Sequence, residues 1–216
     1  MNDNSACRIC LVRHGETAWN TERRLQGHID VPLNGTGLAQ AEAAARHLAG
    51  QGFAALYSSD LQRAHQTAAA IGRPHGLDAE PEHRLRERHY GLFQGLTYEE
   101  AEHRHPELYR RFKARETTLA FPEGGESLRD FADRVRAALT DIALRHRGEQ
   151  VLVVTHGGVL DITHRLATGT ALASPRNFPI PNAALNWIEY QGSAWRLLAW
   201  ADESHLQETL DELPDA

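Results

Sequence analysis

Apolar positions recur along this chain with two periods, and the switches between them predict its architecture. Continuous apolar runs at residues 9–12, 53–57 and 151–154 are the pattern of short strands buried on both faces. Leu38, Ala41, Ala45 and Leu48 instead recur at helical spacing, behind Thr36 as N-cap, until Gly50 and Gly52 stop the pattern. An alanine-rich segment to Ile71 follows the second run in the same way, and this repeat of strand, polar turn and helix predicts a parallel sheet with right-handed crossovers. Ser127 caps a predicted helix to Arg147 whose apolar stripe is Leu128, Phe131, Val135, Ala138 or Leu139, and Ile142. Residues 182–190 and 194–201, divided by Gly192 and Ser193, read as a hairpin that extends or closes the sheet. Residues 21–34 read as a loop ending in a turn. Pro106, Pro122, Gly124 and Gly125 break residues 96–126 into short helical pieces, an insertion expected to cover the carboxyl edge of the sheet.

Composition narrows this picture. The chain of 216 residues suits one domain, 1–216, and its formal net charge of -6 leaves no overall basic field for nucleic acid or an anionic membrane. No apolar stretch approaches the ~20 residues of a membrane span, and Met1 to Ser5 are too polar for a signal peptide, so a cytoplasmic protein is expected. The tail from Asp202 is acidic and expected to be mobile near its end. Cys7 and Cys10 lie three apart on a predicted strand and therefore point to opposite faces. His103 and His105, among charged residues, read as a solvated face, and no metal site is expected.

The chemistry concentrates where the strands run out. Arg13 and His14, followed by Gly15, end the first run, where open α/β sheets place their ligands. A guanidinium offers a planar fork for phosphate oxygens, and an imidazole can act as nucleophile or acid/base. Arg63 falls at the start of the second helix, where first-turn amides favour an anion. Glu87 stands among Arg84, Arg86 and Arg88, either as part of an ion-pair network or as an acid for a departing oxygen. The third run delivers His156 and Gly157 to the same edge, so His156 is predicted to arrive beside His14.

Four segments, in this order, carry a resemblance. They are Arg13-His14-Gly15 with its continuation to Gly27, the stretch from Ser58 to Ala68, the stretch from Arg84 to Gly95, and Thr155-His156-Gly157-Gly158. Together they resemble the signatures of the histidine phosphatase superfamily, the phosphoglycerate mutase-like proteins, over residues 8 to about 200. The resemblance implies a three-layer α/β/α fold with a mostly parallel central sheet and an inserted helical cover. It implies that His14 becomes phosphohistidine, that Arg13, Arg63 and His156 hold the phosphoryl oxygens with Gly157 offering its amide, and that Glu87 donates the proton. Asn20, Gln26 and Gly27 would add phosphate or substrate contacts, and no metal or other cofactor is needed.

Within that family two activities compete. Glu87-Arg88-His89-Tyr90 resembles the mutases, which require 2,3-bisphosphoglycerate. Tyr98 stands where mutases carry a substrate-contacting lysine, Gln26 replaces their small hydroxyl residue, and the cover at 96–126 is shorter. These three departures favour a hydrolase of a small phosphorylated metabolite, with a non-catalytic phospho-ligand-binding module as a third reading. Arg110, Arg111, Lys113 and Arg115 either face substrate or line a solvated helix.

Overall fold

In the computed structural model, which describes residues 5–206, the first apolar run becomes strand β1 (Cys7–Arg13). The second and third runs become β2 (Ala55–Ser58) and β4 (Gln150–Thr155). All three lie parallel, with β4 between β2 and β1. A two-residue strand β3 (Glu80–Pro81) adds to the outer side of β2, where a proline is tolerated on an edge. The hairpin forms as β5 (Leu185–Gln191) and β6 (Ala194–Asp202), antiparallel to each other and to β1. Gly192 and Ser193 both take positive φ, 55° and 73°, the backbone of a tight primed turn. The sheet order is β3-β2-β4-β1-β5-β6. The far end of the acidic tail lies outside the described residues.

Helices cover both faces, which makes the predicted three layers. On one side α2 (Gly35–Leu48) and α3 (Gln62–Gly72) pack Ala44, Leu48, Ala64, Ala68 and Ile71 onto Cys10, Val12, Leu152 and Val154. On the other, α6 (Leu128–Arg145) and α7 (Gly157–Thr168) pack Phe131, Val135, Leu139, Val159 and Leu160 onto Cys7, Ile9, Leu11, Val151 and Val153. Alternate residues of β1 and β4 thus serve opposite cores, and the two cysteines are separated by the sheet. Burial pushes the Cys7 thiol up to about 11 and the Cys10 thiol higher still, which leaves both unreactive. Burying one Val or Leu contributes about 1.5–3 kcal/mol, against about 0–1 kcal/mol for a surface ion pair. Val151, Leu152, Val153 and Val154 are all fully buried, so the sheet core sets where the carboxyl edge lies.

Two boundaries differ from expectation. Helix α2 starts at Gly35 because the Asn34 side chain, not Thr36, accepts the Gly37 N–H at 2.8 Å. Helix α6 is capped by Ser127 as predicted but ends at Arg145, two residues early. The segment 96–126 holds α4 (Tyr98–Arg104) and α5 (Pro106–Lys113). It shares a small aromatic core of Phe93, Phe112, Phe121 and Leu25 with residues that precede it in sequence. Thr97 opens α4 with a reciprocal cap to Glu100. A single turn, α1 (Ala18–Thr21), follows the end of β1. No helix among the described residues is long and apolar enough to cross a membrane.

Candidate active site

Register builds the site. Arg13 pairs with Thr155 across β1 and β4, so both strands end at one edge, and the His14 N–H continues the ladder to the Thr155 carbonyl at 2.9 Å. His14 and His156 therefore leave neighbouring strands together, their ring centroids 5.2 Å apart. The turn after His14 runs against the start of α2: a Cβ on Gly15 would sit 2.4 Å from the Gly37 carbonyl oxygen, so only glycine fits. From the other side of β4, β2 delivers Ser59 and then Arg63 in the first turn of α3.

His14 is 3% exposed, and its Nδ1 lies 2.7 Å from the Gly15 carbonyl oxygen. A carbonyl only accepts, so Nδ1 carries the proton and the lone pair is on Nε2, which makes no hydrogen bond to the described residues. Burial, then Arg63 and Arg13, hold this imidazole well below its ordinary 6.5. His156 is neutral for the same reasons, burial first and then Arg63 and His14. Its Nδ1 accepts from Arg63 Nε at 3.2 Å, which puts its proton on Nε2 facing the Ser59 hydroxyl at 2.7 Å.

Unfolded histidines protonate near pH 6.5 while these two resist, so each removes stability as pH falls below that value. The loss is about 1.4 kcal/mol per pH unit per histidine. Thermal melts from pH 7.5 to 5 should show a falling midpoint, with a shallower slope in His14→Asn. An unchanged slope in that variant would mean that His14 titrates as though in solvent.

Arg63 is buried and Arg13 half-buried, and neither has a carboxylate partner among the described residues. Arg63 is 1% exposed and directs Nη1 to the Ile29 carbonyl at 2.9 Å and Nη2 to the Gly27 carbonyl at 2.8 Å, leaving one N–H on each. Burial lowers its pKa to about 10, against the opposing pull of Glu87, so it remains charged. Arg13 donates Nη1 to the Ile180 carbonyl, while its Nε is buried with no partner among the described residues. Neither arginine forms an ion pair with any described residue. Two guanidiniums with spare N–H groups, drawn out of solvent beside a neutral imidazole, call for an anion as the missing counter-charge.

Glu87 is not the hub of an ion-pair network. Arg84 pairs with Glu82 and Asp141, Arg86 with Asp60, and Arg88 donates to the Leu119 and Glu126 carbonyls. The Glu87 carboxyl oxygens instead accept from the Arg88 N–H at 2.8 Å and the Gly158 N–H at 3.0 Å. Gly158 is the second residue of α7, one step after Gly157, whose own first-turn N–H has no acceptor within the helix.

A model of the family described as "Histidine phosphatase superfamily (branch 1)" matches residues 9–203. The chain belongs to the histidine phosphatase superfamily. It is 43% identical over 204 residues to phosphoglycerate mutase-like protein 4 of Arabidopsis thaliana, covering 93% of this chain and 87% of the relative. It is 41% identical over 209 residues to the metal-independent phosphoserine phosphatase of the same plant, covering 94% and 85%. Among solved structures, Bacillus stearothermophilus YhfR superposes with a TM-score of 0.86 at 33% identity, covering 93% of this chain and 99% of that one.

Around this histidine phosphatase centre the remaining expected residues take different positions. The Asn20 side-chain Oδ1 accepts the Thr17 N–H at 3.0 Å in a capping box that opens α1. The Gln26 Oε1 is buried with no partner among the described residues. Gly27 acts through its carbonyl on Arg63, and its φ of 54° with the Gln94 side chain close by makes any larger residue there strained. Tyr98 is 44% exposed, yet desolvation around its hydroxyl and the nearby Glu87 raise its pKa, against Arg176 and Arg13. In the basic cluster, Arg110 pairs with Glu107 and Arg111 with Glu116 on the surface, Lys113 is exposed, and Arg115, beyond the end of α5, donates to Asp161 and the Leu172 carbonyl. Sequence reasoning missed Asn182, whose Nδ2 holds the His14 carbonyl at 2.9 Å, and Thr67, which accepts the Gly15 N–H at 3.0 Å. It also missed Ser59.

Proposed function

We propose that this histidine phosphatase is a metal-independent phosphomonoesterase of small phosphorylated metabolites, working through a phosphohistidine on His14 Nε2. One domain, 1–216, does the work, with 96–126 as its cover. The observation that carries the reading is a buried and a half-buried arginine, Arg63 and Arg13, around a neutral imidazole whose Nε2 is free, with neither arginine paired to a carboxylate among the described residues. They supply the charge that a metal ion supplies in other phosphoryl-transfer sites.

In the first half-reaction the Nε2 lone pair attacks phosphorus and the bond to the ester oxygen breaks. Glu87 gives its proton to the departing oxygen. Arg13 and Arg63, with the Gly157 amide, bind the equatorial oxygens, and the Gly15 carbonyl holds the Nδ1 proton of the cationic phosphoimidazole. His156 keeps Arg63 in place and reaches the phosphoryl group on exchanging its Ser59 bond. In the second half-reaction Glu87 takes a proton from water, the water oxygen attacks phosphorus, the N–P bond breaks, and inorganic phosphate leaves. Asn20, Gln26 and Tyr98 contact the rest of the substrate.

The relative named as a metal-independent phosphoserine phosphatase supports both hydrolysis and metal independence. The name of the other relative, with Glu87-Arg88-His89-Tyr90, favours a second reading as a mutase using 2,3-bisphosphoglycerate. Purified protein should release phosphate from one or more members of a phosphometabolite panel that includes phosphoserine. That rate should survive dialysis against chelator. With 3-phosphoglycerate and catalytic 2,3-bisphosphoglycerate, rapid isomer formation without phosphate release, while the panel stays intact, would establish the mutase instead. A rate restored only by added divalent cation would contradict the metal-independent mechanism.

A further inference from the structure

Glu87 lies in a stretch without regular structure, between a short turn at His83–Leu85 and the next at Gly91–Phe93. Its side chain can act on a leaving group only if that stretch is held still. The holding group comes from α6, two turns beyond its cap. Arg134 Nη1 donates to the Arg84 carbonyl at 2.7 Å and the Arg86 carbonyl at 2.9 Å. Its Nη2 donates to the Glu87 carbonyl at 2.8 Å and Glu126 Oε2 at 2.8 Å, and its Nε to Glu126 Oε1. All five N–H groups of the guanidinium are therefore used, three of them on the backbone that carries Glu87.

Glu126 completes the clamp. Its Oε2 also accepts the His89 N–H at 2.8 Å, its own N–H donates to the His89 carbonyl at 2.9 Å, and its carbonyl takes Arg88 Nε and Nη2 at 3.1 and 2.9 Å. The residues on both sides of Glu87 are thus tied to one arginine–glutamate pair. That pair sits on and beside a helix whose stripe is fully packed, and the Arg134 guanidinium lies 4.7 Å from the Phe131 ring centroid.

We propose that Arg134, with Glu126, is the positioning residue that aims the Glu87 carboxyl at the leaving oxygen. This rests on Glu87 being the proton donor. A lysine at 134 keeps the charge but has one nitrogen, so it cannot span the same acceptors.

The test compares an alkyl phosphate with p-nitrophenyl phosphate, whose leaving group needs little protonation. Glu87→Gln, Arg134→Lys, Arg134→Gln and Glu126→Gln are measured beside the unaltered enzyme. Arg134→Lys and Glu126→Gln are the gentler variants should Arg134→Gln fold poorly. Arg134→Lys and Glu126→Gln should each lose about 10- to 100-fold on the alkyl phosphate and under about 3-fold on the aryl one, as a displaced acid would. Combined with Glu87→Gln, Arg134→Lys should add almost nothing to the alkyl-phosphate loss. Selective loss in Glu87→Gln alone, with equal losses on both substrates in the Arg134 and Glu126 variants, would overturn the positioning role and leave the acid intact. Equal losses in Glu87→Gln itself would remove the proton donor and this proposal with it.

Discussion

His14→Ala should lower phosphate release by about 10⁴-fold or more, because the variant loses the imidazole proposed to accept the phosphoryl unit. The neighbouring His156 does not substitute for it. Its Nδ1 lone pair is taken by Arg63, and its Nε2 holds a proton toward Ser59. The fold should survive the change, since the His14 side chain hydrogen-bonds only its own neighbour, the Gly15 carbonyl. Steady-state rates with far-ultraviolet circular dichroism as a folding control read the effect. A folded His14→Ala protein retaining a tenth of the activity would place the nucleophile elsewhere.

Arg63→Ala should lower turnover by roughly 10²- to 10³-fold, the scale of losing one preorganised transition-state donor. Its effect reaches beyond charge. Arg63 joins His156, Gly27 and Ile29 through three different nitrogens, so the alanine variant also strands Nδ1 of the second histidine and two carbonyls. Arg63→Lys should therefore recover little, since one ammonium cannot reproduce that fork. Affinity for inorganic phosphate or vanadate should fall in both variants. A lysine variant within about 3-fold of the unaltered rate would mean that Arg63 acts as a bulk charge and not through its geometry.

The site's main axis was legible because it follows from strand placement. Continuous apolar runs at 9–12 and 151–154 have the pattern of buried strands, and residues immediately beyond adjacent parallel strands meet at one edge. Arg63 was legible for a related reason, standing where a helix start meets that edge. Contacts that hold these groups were not legible. Arg134 grips a backbone 47 positions earlier, and Asn182 holds the His14 carbonyl across 168 positions. Neither distance leaves a local periodicity. Side-chain direction was equally hidden in the cluster from Arg110 to Arg115. Glutamates three and five residues away draw Arg110 and Arg111 to the surface, and Arg115, at a φ of 54°, turns inward to Asp161. Strand β3 was too short to show any pattern.

Turnover by the proposed mechanism requires a covalent step at His14 Nε2. Enzyme quenched in base during turnover of a ³²P-labelled substrate, then digested and mapped by mass spectrometry, should carry one acid-labile phosphoryl group on the peptide containing His14. Label on any other residue, or label undiminished in His14→Ala, would contradict it.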